Sequence, residues 1–105
     1  MVLQVMFRWL FFPLRAGGWA KVRREHLLQE PECVACGRAE GLAVHHIVPY
    51  HTDPKLELDP TNLVTLCADP CHLVHGHLMA WTRANPEVRK DCARYRAKLE
   101  KAKNG

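Results

Sequence analysis

No apolar run in the chain reaches the roughly 20 residues that a bilayer-spanning helix requires. The longest candidate, Met1 to Leu14, is shorter and holds Arg8 in its middle, and its second charge, Arg15, follows the apolar part where a secretory leader places its charge first. These features predict no stable membrane insertion. They predict instead an apolar N-terminal segment over residues 1–18 that packs onto the domain or, through Met1 to Phe12, onto a second copy as a homodimer. Internal repeats are absent, and a large charge excess is absent too: 15 Lys and Arg against 11 Asp and Glu leave a formal charge of +4, which permits phosphate binding without demanding it. At 105 residues the chain has the length of one small domain, near the size where a metal or disulfides supplement the core. An even cysteine count is lacking as well. Five cysteines, two pairs of them closely spaced, argue against a secreted disulfide framework and predict thiolate metal ligands in a reducing, cytoplasmic setting.

What is present divides into three parts. After Pro13 and Gly17-Gly18, apolar Trp19, Val22 and Leu27 alternate with Lys21, Arg23, Arg24 and Glu25 at helical spacing, which predicts a short helix from Trp19 to about Gln29 that Pro31 ends. Leu42-Ala43-Val44 and Leu63-Val64-Thr65-Leu66 are short apolar runs, expected to pair as an antiparallel hairpin with a long proline-rich loop between them. In that loop Leu56 and Leu58 are expected inside and Lys55, Glu57 and Asp59 in water. Asp69-Pro70 resembles a helix start, so Cys71 to about Trp81 is predicted as a helix with Gly76 as its weakest point. Asn85-Pro86 opens a last helix whose buried stripe is expected to be Val88, Cys92, Tyr95, Leu99 and Ala102. The divisions expected are the segment 1–18, a central domain over 19–84 and a basic amphipathic helix over 85–105.

The chemistry is concentrated between Cys33 and His77. Cys33-x2-Cys36 followed by Gly37, together with Cys67-x3-Cys71, supplies four soft ligands suited to a tetrahedral structural zinc. Cys92 falls on an apolar stripe and is expected to be a small buried residue. Of seven histidines, five are His45, His46, His72, His75 and His77. Adjacent residues at a strand end point to opposite sides, so His45 and His46 must do different work. On a helix His72 and His75 share a face and His77 points elsewhere. His77 and His51 are therefore expected toward solvent, and His26 on a helix surface.

Val44-His45-His46-Ile47-Val48-Pro49, Asn62-Leu63-Val64-Thr65-Leu66-Cys67 and Cys71-His72 together resemble the His-Asn-His (HNH) endonuclease family in its zinc-ribbon-bearing form. The resemblance extends from about residue 19 to 77. It implies an α+β fold, a small single domain with a ββα-metal core, a four-cysteine zinc knuckle and flanking helices. Matched residue by residue, it implies His46 as general base, Asn62 as the asparagine that fixes the loop and orients the base, and His45 and His72 as ligands of one catalytic divalent ion, with His75 as a further candidate ligand. Position 45 is one where many members have aspartate. It also implies DNA as the partner, hydrolysed to 5′-phosphate and 3′-hydroxyl ends. An imidazole-rich site should accept Ni²⁺, Co²⁺, Mn²⁺ or Zn²⁺ as well as Mg²⁺. No dedicated base-reading module is evident, so phosphate contacts are expected from Arg94, Lys98 and Lys101 on the last helix. Two rival readings are an inactive zinc-stabilised nucleic-acid-binding module and a thiol redox sensor. The first leaves His46 and Asn62 without a task, and the second leaves the histidines unexplained.

Overall fold

Two five-residue strands, β1 (Leu42–His46) and β2 (Leu63–Cys67), form the antiparallel hairpin that positions everything else. In the computed structural model, which describes residues 17–104, Leu42 pairs with Cys67 and His46 with Leu63. One end of the hairpin therefore lies beside the cysteines and the other beside the histidines. Every residue of β2 is buried, consistent with an apolar run covered on both faces. Its outer edge is closed by neighbours: the Thr65 N–H donates to Glu30 Oε1 at 2.9 Å, the Thr65 hydroxyl to the Glu30 carbonyl at 2.8 Å, and the Val34 N–H to the Thr65 carbonyl at 3.0 Å.

Helix α1 (Trp19–Gln29) contains neither glycine nor proline, starts at Gly18 and ends with the Glu30 N–H on the His26 carbonyl, one residue before Pro31. Helix α2 (Val88–Asn104) begins just after Asn85, whose side-chain oxygen accepts from the Glu87 N–H and whose carbonyl accepts from the Val88 N–H. Of its expected stripe only Val88 and Cys92 are buried; Tyr95 is 39% exposed, so the helix leaves the core after its first turn and a half. Two of its arginines hold it in place. Arg89 grips Glu30 through both terminal nitrogens, at 2.8 and 3.0 Å, and Arg96 reaches Glu32 at 2.9 Å. Bidentate guanidinium–carboxylate pairing of this kind fixes orientation as well as charge. The core below is Cys33, Ala35, Val64, Leu66, Cys67, Cys71, Val88 and Cys92.

Two local expectations are corrected. The helix expected from Cys71 to Trp81 is instead one wide π-type turn, His72–Gly76, entered from Cys71 without a side-chain cap, so Asp69-Pro70 does not start a helix. Leu78 and Met79 follow with φ of 52° and 72°, a left-handed conformation that stops helical propagation. Glu57, expected in water, is 2% exposed, because short 3₁₀ turns at Pro54–Leu56 and Pro60–Asn62 fold the loop back over the hairpin end. The segment 1–16 and the homodimer contact expected through it lie outside the described residues. Among those residues no helix is long and apolar enough to cross a membrane.

Candidate metal centre

At the open end of the hairpin, away from the connecting loop, the sulfurs of Cys33, Cys36, Cys67 and Cys71 all lie within 4.8 Å of one another. Local backbone makes this convergence. Gly37 sits at φ 82° and returns its N–H to the Cys33 carbonyl at 2.9 Å, a turn that side chains rarely permit. The Cys36 and Cys71 N–H groups point at Cys33 Sγ and Cys67 Sγ, at 3.4 and 3.5 Å. The extra residue in Cys67-x3-Cys71 is thus absorbed without dispersing the set. Burial tends to raise the Cys33 pKa, but backbone N–H groups of Cys36, Cys67 and Ala35 outweigh it and bring the thiol down to about 7. Burial raises Cys36 and Cys71, and neighbouring cysteines push them further up. One readily ionised thiol beside two that resist ionising is consistent with a site suited to a cation. Cys92 is buried beside this cluster but outside the four, its thiol pushed up to about 12, chiefly by burial.

At the loop end, His45, His72 and His77 form a second group with ligand atoms within 4.8 Å of one another. His72 Nε2 lies 3.1 Å from His45 Nδ1, and the His77 ring centroid is 4.8 Å from that of His45 and 4.9 Å from that of His72. Two nitrogens bound to one tetrahedral ion at about 2.1 Å are about 3.4 Å apart, so these rings need little rearrangement to share one. His77 Nδ1 is 2.7 Å from the Arg83 carbonyl, which can only accept. That bond places the proton on Nδ1 and the lone pair on Nε2, the arrangement by which a backbone carbonyl prepares an imidazole ligand. Burial first, then the imidazoles of His72, His77 and His46, push the His45 pKa down from 6.5 to about 3, and burial together with His77 lowers that of His72. Both rings are neutral near pH 7, as ligands must be. His45 Nε2, and not the Nδ1 that faces His72, is buried with no hydrogen-bond partner among the described residues.

The two neighbours in sequence do separate. His45 is 3% exposed beneath the cluster, while His46 stacks on Trp19 with centroids 4.7 Å apart and sets Nε2 2.9 Å from the Glu57 carbonyl. A carbonyl accepts, so Nε2 donates and the lone pair of neutral His46 is on Nδ1. His46 nevertheless lines the same cleft as the cluster. That cleft has a volume of about 320 Å³ and is walled by Val44, His45, His46, Pro49, Tyr50, His51, His72 and His77.

The profile of the HNH endonuclease family matches residues 33–77. This stretch is similar to an HNH domain. No curated protein and no solved structure matches the chain. The match supports a nuclease or nucleic-acid-binding function, and its span runs from the first clustered cysteine to the last clustered histidine.

Within the matched stretch Asn62 is 6% exposed and uses its whole amide: Oδ1 accepts from the Val48 N–H at 2.8 Å, and Nδ2 donates to the carbonyls of Val48 and Leu56, both at 3.1 Å. It thereby pins the two arms of the loop to each other, one residue from the carbonyl that holds His46. His75 is not brought into the cluster. Its ring turns to Tyr95 of α2, with centroids 4.9 Å apart, and His77 takes the place beside His72. The π turn is wider than an α turn, so residue i+3 falls further from the face of residue i and residue i+5 comes closer to it. Gly76 was the signal in the sequence. A Cβ there would stand 3.1 Å from His45 Cε1 and Nε2, so the glycine is the seat of the His45 ring and not a weak point of a helix. His51 is exposed, as expected, yet it stands on the rim of the cleft with Tyr50. Arg94, Lys98 and Lys101 are exposed on α2, Arg94 paired with Asp91 at 2.6 Å.

Proposed function

We propose that the protein is a metal-dependent endonuclease that hydrolyses DNA phosphodiester bonds. The observation that carries this reading is one cleft holding two kinds of histidine: a cluster whose ligand atoms converge, His45, His72 and His77, and a separate imidazole, His46, whose tautomer is set by the Glu57 carbonyl. In this reading His46 Nδ1 takes a proton from water as the water oxygen attacks phosphorus, and the bond to the leaving 3′ oxygen breaks. His45, His72 and His77 hold the divalent ion, and Asn62 keeps the loop that carries the Glu57 carbonyl in place. When bound, the ion supplies positive charge to the phosphate and to the leaving oxygen. Mn²⁺, Ni²⁺, Co²⁺, Zn²⁺ and Mg²⁺ are all consistent with three imidazoles in a cleft open to water. The four cysteines hold a structural Zn²⁺, which ties the segment before β1 to the end of β2 and performs no chemistry. Exposed Arg94, Lys98 and Lys101 contribute phosphate contacts.

A plasmid-nicking assay on zinc-loaded protein tests this, with each ion supplied in turn. Wild-type protein should convert supercoiled plasmid, and folded His46→Ala protein should do so about 100-fold or more slowly, as expected for loss of a general base. Equal rates would remove His46 from the reaction. Protein that shifts DNA in a gel and cuts it with none of the ions is instead a zinc-stabilised binding module.

A further inference from the structure

Beside the histidine cluster stands aromatic surface that the proposed hydrolysis does not use. Trp81 is 59% exposed, and its ring stands edge-on to His72 with centroids 5.2 Å apart and tilted to His77 at 5.0 Å. Hydrogen bonds to the backbone order the turn that carries it. The Met79 N–H donates to the Leu73 carbonyl at 2.9 Å, Ala80 to His77 at 3.1 Å and Arg83 to Ala80 at 2.8 Å, while the Arg83 guanidinium reaches the Leu78 carbonyl at 3.2 Å. Leu78 and Met79, both at positive φ, accept an unfavourable conformation to make this turn. Across the cleft Tyr50 is 41% exposed. A large ring in contact with two histidines of the cluster, and left mostly in water, offers a contact surface to something that arrives with the substrate.

We propose that Trp81 is a stacking platform for an unpaired base adjoining the scissile phosphate, so that the favoured substrate is nucleic acid with an unpaired nucleotide at the cut: a single strand or a gap. The proposal rests on the nuclease reading for its placement. In an intact duplex both faces of each base are already covered by neighbours, and an indole beside the backbone gains nothing from them. An unpaired base can leave its stack and lie on the indole, and this contact is tolerant of sequence because every base has a π face. The platform therefore gives affinity without a base-reading element, and none is evident in this chain. The net charge of +4 favours the same partner over a neutral apolar one. The competing role for Trp81, an apolar shield over His72 and His77, is one that any bulky aliphatic side chain performs, and this makes the two separable.

The experiment titrates zinc-loaded full-length protein, without added divalent ion, with an oligothymidylate, a gapped duplex and a blunt hairpin duplex, following tryptophan emission and affinity. Oligothymidylate and gapped duplex should bind more tightly than blunt duplex and quench emission. Trp81→Phe should keep the preference while losing most of the quench. Trp81→Leu should bind oligothymidylate about tenfold more weakly, with blunt-duplex binding unchanged. Wild-type protein without preference for unpaired substrates overturns the platform, and so does a Trp81→Leu variant that binds single strands normally or loses duplex affinity equally. Should Trp81→Leu fail to fold, the wild-type preference and the Trp81→Phe quench decide the question. Plasmid nicking without any preference for unpaired DNA removes the platform and leaves the nuclease reading standing; neither binding nor cutting of any nucleic acid removes both.

Discussion

Asn62 binds both polar groups of Val48, accepting from its N–H at 2.8 Å and donating to its carbonyl at 3.1 Å. A third bond, to the Leu56 carbonyl at 3.1 Å, makes one buried amide the cross-brace of the loop over residues 47–62. Asn62→Ala should therefore destabilise the fold by about 3 kcal/mol, since three buried backbone groups lose their partner. Asn62→Asp keeps the acceptor and sets a carboxylate against two carbonyl oxygens, so it should be at least as damaging as alanine. Urea denaturation of the zinc-loaded variants measures both. An aspartate variant of wild-type stability would show that the two donated bonds contribute nothing.

His77 and His75 should separate cleanly in metal affinity. His77→Ala removes a ring whose Nδ1 is anchored on the Arg83 carbonyl and whose centroid lies 4.8 Å from that of His45. Calorimetric titration of Ni²⁺ into zinc-loaded protein should then show a loss beyond the roughly 10–100-fold typical of an outer-shell partner. His75→Ala should change affinity by no more than a few-fold. Equal losses for the two would mean that the metal is held on the other side of the π turn.

Phosphate binding by α2 predicts a particular salt dependence. Reversing the charges at Arg94, Lys98 and Lys101 should weaken DNA binding and flatten the dependence of log K on log salt by about 0.9 for each phosphate that is no longer neutralised. Arg89 and Arg96 are already engaged with Glu30 and Glu32, so reversing them should reduce stability instead. Unchanged DNA affinity in the triple reversal would place the backbone contacts on another face.

Acid should loosen the clasp between α2 and the segment after α1. Burial works to raise the Glu30 pKa, but the Arg89 guanidinium, the Thr65 N–H and His26 together hold it below its usual 4.5. With the folded pKa below the unfolded one, the unfolded chain takes up the proton first. The stabilisation from Glu30 is thus complete above about pH 4.5 and is lost as pH falls through the folded value. Denaturation midpoints of wild type and Glu30→Gln should differ most near neutrality and converge in acid. A gap that stays constant with pH would show that charge on Glu30 is not what Arg89 stabilises.

The hairpin, the four-cysteine set and the opposite placement of His45 and His46 were all legible in the sequence, because each follows from short-range spacing or from the alternation of a strand. His77 was not. Assigning His72 a partner on its own face presumes an α-helical repeat, and the wide turn at His72–Gly76 replaces that repeat with one that sequence patterns seldom reveal. Burial of Glu57 was hidden for a related reason: a charged residue among prolines has every local sign of a wet loop, and tertiary packing encloses it. Trp81 looked like the end of a helix. Its relation to the cleft depends on two left-handed residues, Leu78 and Met79, that have no glycine to announce them.

The closeness of the His45 ring to Gly76 binds two positions into one evolutionary unit. A Cβ at 76 would meet three atoms of that ring at 3.1 to 3.2 Å. With histidine at 45, a side chain at 76 requires the ring to give by a few tenths of an ångström, whereas the shorter aspartate that the HNH resemblance implies for many chains would leave room for one. Among related sequences the two sites should drift together, histidine travelling with glycine and aspartate with freedom at its partner. A lineage that exchanges one ligand chemistry for the other must cross that gap in both places, or pass through an intermediate that holds its ion poorly.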